Sequence, residues 1–404
     1  MIKEITATNF MAFKQLHYVC SKLNLLTGVN GAGKSSFLKL LSLAHKMNCE
    51  QGSSVTCKSI SYDDVRYCYA PTGDDVSFSF VFCEEGQNQT IGSVAFDISK
   101  EENGDGICLK WKKDDDINMG AIRFLPPYRD KPRNNMRTYV SIDHLCIYLA
   151  FTDLYGRETI LDQTGSRRQG NKFRIVTSDR HCYLVGTNAM PVGNDANDVV
   201  EIEREIRGIR DIWVDVPDEE QVMLISKVNE WLDRLSPGTS VCIQQYCSSF
   251  VDKTGHVFKP QNASWGLNYA LPILVAVLVA TPDDVLVIQN PEAFLHPRAQ
   301  SVMGELFASA AARSVQLFVE THSEYIINAV RLAVKNQQLP PEDVNIAVFR
   351  RMGVFNLNKD GSNNESPSSE YSQEDDVKVR TGGELSDYPN DFMEEWANQL
   401  AELV

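Results

Sequence analysis

A glycine-rich segment near the start of the chain has the residue types that bind phosphate groups. It runs from Gly28 to Ser35 and fits the pattern G-x-x-x-x-G-K-[ST]. Its backbone N–H groups can surround phosphate oxygens, Lys34 can reach the terminal phosphates, and the Ser35 hydroxyl can bind Mg²⁺. The predicted phosphate contacts are therefore Asn30, Gly31, Ala32, Gly33, Lys34, Ser35 and Ser36.

A second group of polar residues follows an apolar segment in the last third of the chain. Residues 285–288 run into Gln289 and Asn290, and Glu292 comes two positions later. A phosphate loop of this kind needs a carboxylate at the end of a neighbouring strand, because Mg²⁺ prefers charged oxygen ligands. Both first positions carry amides, which coordinate weakly and cannot act as a base. We therefore predict Gln289 as a weak metal ligand beside Ser35, and Glu292 as the nearest carboxylate for catalysis, with Asn290 next to it.

The spacing of apolar residues predicts the elements that position these side chains. Residues 23–27 predict a strand that leads into the phosphate loop, and residues 37–45 predict the helix after it. Helical and strand patterns then alternate, which predicts an α/β fold with a parallel sheet. The predicted segments are a helix at 219–235, a strand pair near 240–259, a helix at 266–280, a strand at 285–288, a helix at 299–312 and a strand at 316–319.

Composition divides the chain into five predicted segments. Short β-like runs separated by Gly, Asn and Asp predict a β-rich insertion after residue 50. Residues 359–376 are polar and acidic and predict a flexible linker. No repeat or sustained heptad appears, so no coiled-coil arm is predicted. The segments are 1–50 and 216–358, which form one nucleotide lobe and its helical part, the insertion 51–215, the linker 359–376 and a tail at 377–404.

The charge balance limits the partners of the protein. Its 404 residues include 39 Lys and Arg against 54 Asp and Glu, a net charge of −15, which excludes a surface that is basic throughout. Two local basic clusters are candidates for DNA or partner contact, with a solvated loop face as the alternative. They contain Arg123, Arg129, Lys131, Arg133 and Arg137 in one cluster, and Arg167, Arg168, Lys172, Arg174 and Arg180 in the other.

Apolar runs and cysteines predict a cytoplasmic protein. The longest apolar run, residues 267–280, is shorter than the roughly 20 residues of a membrane helix, and the start shows no secretory signal. The 10 cysteines include no C-x-x-C pair, so no zinc or redox motif is predicted and reduced thiols are expected.

The order of these motifs resembles that of ABC-class ATPases, in the RecF/SMC/OLD branch that includes ATPases of bacterial anti-phage systems. The resemblance lies in the phosphate loop, in the Pro-Glu-x-x-Leu-His-Pro run at 291–297 and in the Glu-Thr-His-Ser run at 320–323. Residues 383–392 also resemble the G…WP-x-GFF tail of one subgroup. The resemblance implies an ABC-type P-loop lobe with a mixed sheet, hydrolysis of ATP with Mg²⁺, and His322 as the sensor of the γ-phosphate.

The resemblance also implies a closed dimer. ABC-class ATPases bring two nucleotide sites face to face, and each ATP contacts the start of a helix from the partner. Ser264, Gly266 and Asn268 are the residues implied for this contact, although Asn268 stands where Ser is usual. The alternative is that this segment only seats a buried helix. His296 would lie near the dimer seam, or else it caps a turn.

Gln289 departs from the subgroup, which reads Glu-Asn-Pro-Glu at this point. Three interpretations stay open. The chain is a natural ATP-binding switch that hydrolyses slowly, with Glu292 compensating in part; or Gln289 is an introduced Glu→Gln change that traps bound ATP; or Gln289 works fully as it stands. The first two predict that the chain binds ATP much better than it hydrolyses it.

The predicted function is an ATPase whose ATP-closed dimer, or an oligomer of such dimers, acts as scaffold and sensor for an effector subunit in anti-phage defence. OLD-type nucleases carry a Toprim domain, and the sequence after His322 shows no such pattern. The expected effector, a nuclease or a toxin, is therefore a separate chain. The alternatives are a RecF-like DNA-repair ATPase that binds DNA and a non-hydrolysing, ATP-gated assembly protein.

Overall fold

The structure is a computed structural model in which the chain forms two compact units. One unit comprises residues 1–121 and 340–404, and the other comprises residues 122–339. The described residues are 1–47, 54–57, 60–71, 73–83, 90–101, 104–113, 122–125, 218–244, 247–258, 262–280, 282, 285–354, 369–389, 392–393 and 401–402. Most of the predicted insertion lies outside them, as do the basic cluster at 167–180 and residues 126–137 of the other cluster.

The described chain contains fifteen strands and six α-helices. The strands are β1 (Ile2–Phe10), β2 (Phe13–Val19), β3 (Leu23–Gly28), β4 (Ser54–Cys57), β5 (Val76–Cys83), β6 (Thr90–Lys100), β7 (Ile107–Lys113), β8 (Ile122–Leu125), β9 (Ser240–Gln244), β10 (Cys247–Val251), β11 (Val257–Phe258), β12 (Val285–Gln289), β13 (Gln316–Glu320), β14 (Val344–Val354) and β15 (Ser369–Lys378). The helices are α1 (Lys34–Met47), α2 (Tyr62–Val65), α3 (Asp218–Leu235), α4 (Trp265–Val279), α5 (Pro297–Ala312) and α6 (Glu324–Lys335).

An antiparallel sheet in the first unit has the strand order β2-β1-β5-β6-β7-β4. In β5 every second side chain is buried, which is the pattern of a strand with one face on the core. The ring of Phe78 stacks on Phe96 of β6 with centroids 4.5 Å apart. Strands β4 to β7 confirm the β-rich prediction at the start of the insertion, and β1 pairs with β5 in the same sheet.

A second group of strands in the first unit carries the phosphate loop. Strand β3 lies parallel to β14, and β14 pairs with β15 in antiparallel register. The predicted linker at 359–376 is therefore wrong for residues 369–376, which belong to β15. Two of the four acidic residues of β15 pair with arginines of β14: Arg350 pairs with Asp375, and Arg351 lies 2.6 Å from Glu370.

Buried side chains join β2, β3, β14 and β15. Asn345 Nδ2 donates to the Tyr18 hydroxyl at 3.1 Å and to Asp376 Oδ1 at 2.9 Å. The Tyr18 hydroxyl in turn donates to Asn24 Oδ1 at 3.1 Å, and burial raises the pKa of this hydroxyl well above its ordinary value. Lys378 Nζ donates to Asn345 Oδ1 at 2.9 Å. These bonds satisfy polar groups that would be costly to bury alone, and they favour this one strand register.

Glu374 of β15 should make stability depend on pH. Burial raises the pKa of its carboxyl to about 7, a backbone hydrogen bond lowers the pKa, and Asp376 and Asp375 raise it further. Because this pKa lies above that of the unfolded chain, folding favours the protonated form, and stability falls as pH rises through the interval between the two values. We expect Glu374→Gln to raise the melting temperature by about 2–4 °C at pH 8 and to change it little at pH 4. Thermal unfolding at both pH values measures this, and an equal shift at both would contradict it.

The second unit contains a parallel set of strands in the order β13-β12-β8. The parallel pairing of β12 with β13 begins at the pair Val285–Gln316 and ends at the pair Gln289–Glu320. A small antiparallel sheet has the order β11-β10-β9. Asn229 of α3 contacts the edge strand β9 of this sheet, because the Asn229 Oδ1 accepts from the N–H of Val241 at 2.7 Å. These elements confirm the predicted mixed α/β fold, with helix and strand limits close to those predicted.

Helices of the second unit pack closely where small residues allow it. A Cβ added at Gly304 of α5 would lie 2.6 Å from the carbonyl oxygen of Ile326 in α6, so these helices touch through backbone. The longest described helix, α3, has 18 residues, and the described ranges contain no coiled-coil arm. Among the same residues no helix is both long and apolar enough to cross a membrane.

Candidate nucleotide-binding site

The predicted phosphate loop connects β3 to α1 in the first unit. The helix begins at Lys34, so its first turn presents backbone N–H groups that lack partners within the helix. Lys34 is only 3% exposed, and its Nζ donates to the carbonyl oxygens of Gly28 at 2.7 Å and of Val29 at 2.9 Å. The ammonium group is thus held by the loop itself, while Asn30, Gly31 and Ser35 are exposed.

Two glycines of this loop have left-handed backbone and close neighbours. Gly28 has a φ of +128°, and a Cβ there would lie 2.2 Å from the carbonyl oxygen of Phe349 in β14. Gly33 has a φ of +106°, and a Cβ there would lie 2.5 Å from Oγ of the buried Ser372 in β15. The β14–β15 hairpin therefore packs against both ends of the phosphate loop and leaves no room for side chains.

Alanine at position 28 should destabilise the first unit. We expect Gly28→Ala to lower the free energy of unfolding by about 3 kcal/mol or more, because backbone strain adds to a clash with β14. Gly31→Ala is the matched control, since Gly31 also has a left-handed φ, of +81°, but a Cβ there would meet no atom within 4 Å. The control should cost only about 1–2 kcal/mol. Urea unfolding of both variants measures the difference, and equal losses would show that the clash is relieved.

In the second unit, Gln289 and Glu320 end neighbouring parallel strands and lie directly opposite each other. Glu320 is 4% exposed. The N–H of Asn290 donates to the carbonyl oxygen of Glu320 at 2.8 Å, and Asn290 has a left-handed φ of +48°. Its Oδ1 is buried and has no hydrogen-bond partner among the described residues. Two amides and one buried carboxylate are therefore assembled where β12 and β13 end.

Glu292 connects the loop after β12 to the turn after β13. Its Oε2 accepts from the Thr321 hydroxyl at 2.8 Å, and its Oε1 accepts from the backbone N–H of His322 at 2.7 Å. Thr321 is fully buried, whereas His322 is exposed. The structure therefore brings the predicted residues Glu292 and His322 together, through the His322 backbone.

A second tether holds the same turn from the side of α5. Ser323 Oγ donates to Gln300 Oε1 at 2.6 Å and also caps α6 by accepting from the N–H of Ile326. Gln300 Nε2 donates to the carbonyl oxygen of Leu295 at 2.8 Å. His296 caps α5, because its Nδ1 accepts from the N–H of Arg298 at 3.3 Å. His296 thus has the predicted capping role, and its place at a dimer seam stays a prediction.

The predicted trans segment forms the start of α4. Ser264 is the N-cap, is exposed, and accepts through Oγ from the N–H of Leu267 at 3.3 Å. A Cβ added at Gly266 would lie 2.7 Å from the carbonyl oxygen of Phe294, in the loop after β12. Close packing on this loop therefore requires the glycine, and Asn268 follows in the first turn of the helix. The contact with a partner's ATP stays a prediction.

Three residues of this region were not predicted as site residues from the sequence. Glu320 could have been identified as an acid that ends an apolar strand, because neighbouring parallel strands end at the same edge of a sheet. Thr321 and Gln300 gave no such signal. Their side-chain partners are 29 and 23 positions away in the chain, respectively, so only the fold reveals these contacts.

Each unit supplies donors of a kind that a nucleotide or its metal ion accepts. Lys34 and the start of α1 suit phosphate, and the buried Asn290 Oδ1, the Gln289 amide and the Glu320 carboxylate are oxygen donors of the kind that Mg²⁺ accepts. Among the described residues no group of three or more His, Cys, Asp or Glu is arranged to hold a metal.

Part of the chain is similar to a known protein family. Residues 190–328 match the model of a family described as AAA domain, putative AbiEii toxin, Type IV TA system. No curated protein matches the chain. The match covers the polar ends of β12 and β13 and the start of α4, whereas the phosphate loop lies before it.

Solved structures similar to the chain include several SMC head domains. One is an SMC head bound to the C-winged helix domain of ScpA, with 11% identity, a TM-score of 0.48, and coverage of 94% of this chain and 98% of that chain. Another is the SMC head domain from Thermotoga maritima, with 12% identity, a TM-score of 0.43, and coverage of 92% and 98%. A third is an SMC head with an extended coiled coil, bound to the C-terminal domain of ScpA derived from Pyrococcus furiosus, with 12% identity, a TM-score of 0.47, and coverage of 100% and 99%.

Strand β3, the glycine-rich loop and α1 form the strand–loop–helix arrangement of P-loop nucleotide-binding proteins. Residues 190–328 are in addition similar to an AAA-domain family. P-loop ATPases bind ATP, usually with Mg²⁺.

Proposed function

We propose that this chain is an ATP-dependent switch that closes into a dimer when it binds ATP with Mg²⁺. The observation that carries the proposal is the phosphate loop. Its lysine is buried and bonded to loop carbonyls, and Gly28 and Gly33 are packed so closely on β14 and β15 that only glycine fits. Glycines in left-handed conformations lower the stability of a fold, so a loop that contains them is expected where the backbone must surround a ligand such as phosphate.

Each predicted site residue has a role in this proposal. Lys34 and Ser35 act on the β- and γ-phosphates and on Mg²⁺ within one subunit, and Gln289 adds a weak metal contact. His322 senses the γ-phosphate, with Asn290 and Glu292 beside it. The start of α4, with Ser264, Gly266 and Asn268, contacts ATP in the other subunit.

Hydrolysis in this chain is proposed to be slow. Gln289 and Asn290 carry no charge, so they neither neutralise Mg²⁺ fully nor accept a proton from water. Bound ATP should therefore persist, and the closed dimer should be long-lived.

The closed dimer is proposed to serve as a scaffold and sensor for a separate effector subunit in anti-phage defence. The family model that matches residues 190–328 is described as an AAA domain of a putative toxin in a type IV toxin–antitoxin system, which supports a role in a system of that kind. A toxin and a nuclease are the two effector classes considered.

The test is the mass of the protein in solution with different nucleotides. We expect a mass of about 45 kDa without nucleotide or with ADP, and about 91 kDa or a multiple of it with ATP and Mg²⁺. Mass photometry at matched protein concentration measures this, with bound nucleotide quantified in the same samples. A chain that binds ATP and stays monomeric would refute the dimer while leaving ATP binding in place.

A further inference from the structure

We infer that Glu292 is a positioning residue that fixes the turn carrying His322, and that it is not the base that activates water. The inference rests on the proposed function, because it assigns a role within the proposed ATP site. It begins from two hydrogen bonds that Glu292 accepts from one turn, at Thr321 and His322.

Each oxygen of the Glu292 carboxylate binds a different donor. The Thr321 hydroxyl lies 2.8 Å from Oε2, and the His322 N–H lies 2.7 Å from Oε1. Thr321 Oγ1 also accepts from the N–H of Ser323 at 3.0 Å, so its own proton is directed to Glu292. A carboxylate that accepts two such bonds orients the segment that donates them, and charge-assisted bonds of this kind are stronger than neutral ones.

The contact of Glu292 with Thr321 and His322 lies just beyond the end of the β12–β13 pairing. Backbone pairing of β12 with β13 ends at Gln289 and Glu320, and one further bond joins Asn290 N–H to Glu320 O. Beyond that point the described residues of β12 and β13 form no further backbone pair of this ladder. Glu292 continues the connection by side chain, directly onto the backbone of the residue that is proposed to sense the γ-phosphate.

The turn is held from both sides, which makes its position definite. Glu292 binds Thr321 and the backbone N–H of His322, while Gln300 binds Ser323, the next residue along the chain. The His322 side chain is left exposed between these two anchors. A small shift of the Glu292 anchor would therefore move the imidazole relative to the ends of β12 and β13, which is how a distant change can lower activity.

Thr321 distinguishes positioning from base catalysis. Thr321→Val keeps the shape of the buried side chain and removes the hydroxyl that binds Glu292, whereas Thr321→Ser keeps the hydroxyl. If Glu292 positions the turn, Thr321→Val should reproduce the effect of Glu292→Gln. We expect Glu292→Gln and Thr321→Val each to reduce the ratio of ATP affinity to ADP affinity on the order of tenfold. In Thr321→Ser this ratio should stay within about threefold of its value in the chain without these changes.

The double variant provides a further check. Glu292→Gln with Thr321→Val should be no worse than either single variant by more than about threefold, because both remove the same contact. Nucleotide affinities are measured by calorimetry, and turnover is measured with Gln289→Glu as the parent. If Glu292→Gln abolishes turnover while Thr321→Val leaves turnover and ATP preference unchanged, Glu292 is the base and the inference is wrong.

A measurement without nucleotide separates this inference from the proposed function. The chain has 7 histidines, so ¹⁵N-histidine labelling gives few amide signals, and His322→Gln assigns the one of interest. We expect the His322 amide signal to shift in Glu292→Ala and Thr321→Val and to stay near its original position in Thr321→Ser. Unchanged signals in all three folded variants would overturn the inference even if ATP binding is confirmed. Shifted signals in a chain that binds no ATP would instead retain the contact and reject the proposed function.

Discussion

Replacement of Lys34 by alanine is expected to raise the Kd for ATP on the order of 100-fold, because it removes a charged donor to the phosphates. The ammonium group is already held at the loop by the carbonyl oxygens of Gly28 and Val29, so little ordering of this side chain is required on binding. Calorimetry with ATP and Mg²⁺ measures the change. The same variant should also lose the ATP-dependent doubling of mass.

Two comparisons make this result specific. Lys14→Ala removes a lysine from the exposed part of β2 and should leave the Kd within about twofold. Lys34→Arg keeps the charge but not the compact ammonium group, and it should still bind ATP poorly. Unchanged affinity in Lys34→Ala, in a folded protein, would show that the loop does not bind the phosphates.

The phosphate loop was predictable because its signal is local. Strand, glycines, Lys34, Ser35 and helix follow one another within a few residues, so short-range preferences and the chemistry agree. The predicted start of the following helix is nevertheless different from the observed one: residues 37–45 were predicted, and the helix begins at Lys34. What the sequence did not reveal is why Gly28 is required, because the atom that would clash belongs to Phe349, far along the chain.

Strand β15 shows where composition misleads. A polar and acidic segment reads as a linker when its charges are counted alone. In the fold, Arg350 and Arg351 of β14 pair with Asp375 and Glu370, and the segment becomes a strand. The partners come from a preceding strand whose pairing depends on β3, so the compensation is a property of the tertiary structure.

The polar strand ends show a third case. The positions of Gln289 and Asn290 at the end of an apolar strand were predictable from the sequence, and the structure places them there. In the sequence Glu320 stands out only as part of the Glu-Thr-His-Ser run. Its place opposite Gln289 follows from the parallel register of β12 and β13. A strand pattern gives the end of each strand, but the residue that it faces depends on which strands are neighbours.

Gln289→Glu is expected to raise ATP turnover at least about tenfold and to shorten the life of the ATP-bound dimer. A carboxylate at this strand end would bind Mg²⁺ more firmly and stabilise the charge that develops as the phosphoryl group leaves. Phosphate release and mass photometry on the same samples measure both effects. If turnover and assembly are unchanged, Gln289 belongs to an ATP-binding scaffold that does not depend on hydrolysis.

Glu320 provides the control for this change, because a glutamate at 289 would stand directly opposite it. Two neighbouring carboxylates without a bound cation disfavour each other's charge, so the single variant should bind Mg²⁺ more tightly and depend on it more for stability. In Gln289→Glu with Glu320→Gln the charge moves from β13 to β12 while its total is unchanged. We expect this double variant to keep at least half of the gain in turnover, since the position of the carboxylate and not its number determines the effect. A double variant as slow as the unchanged chain would show instead that both carboxylates are required at the ends of these two strands.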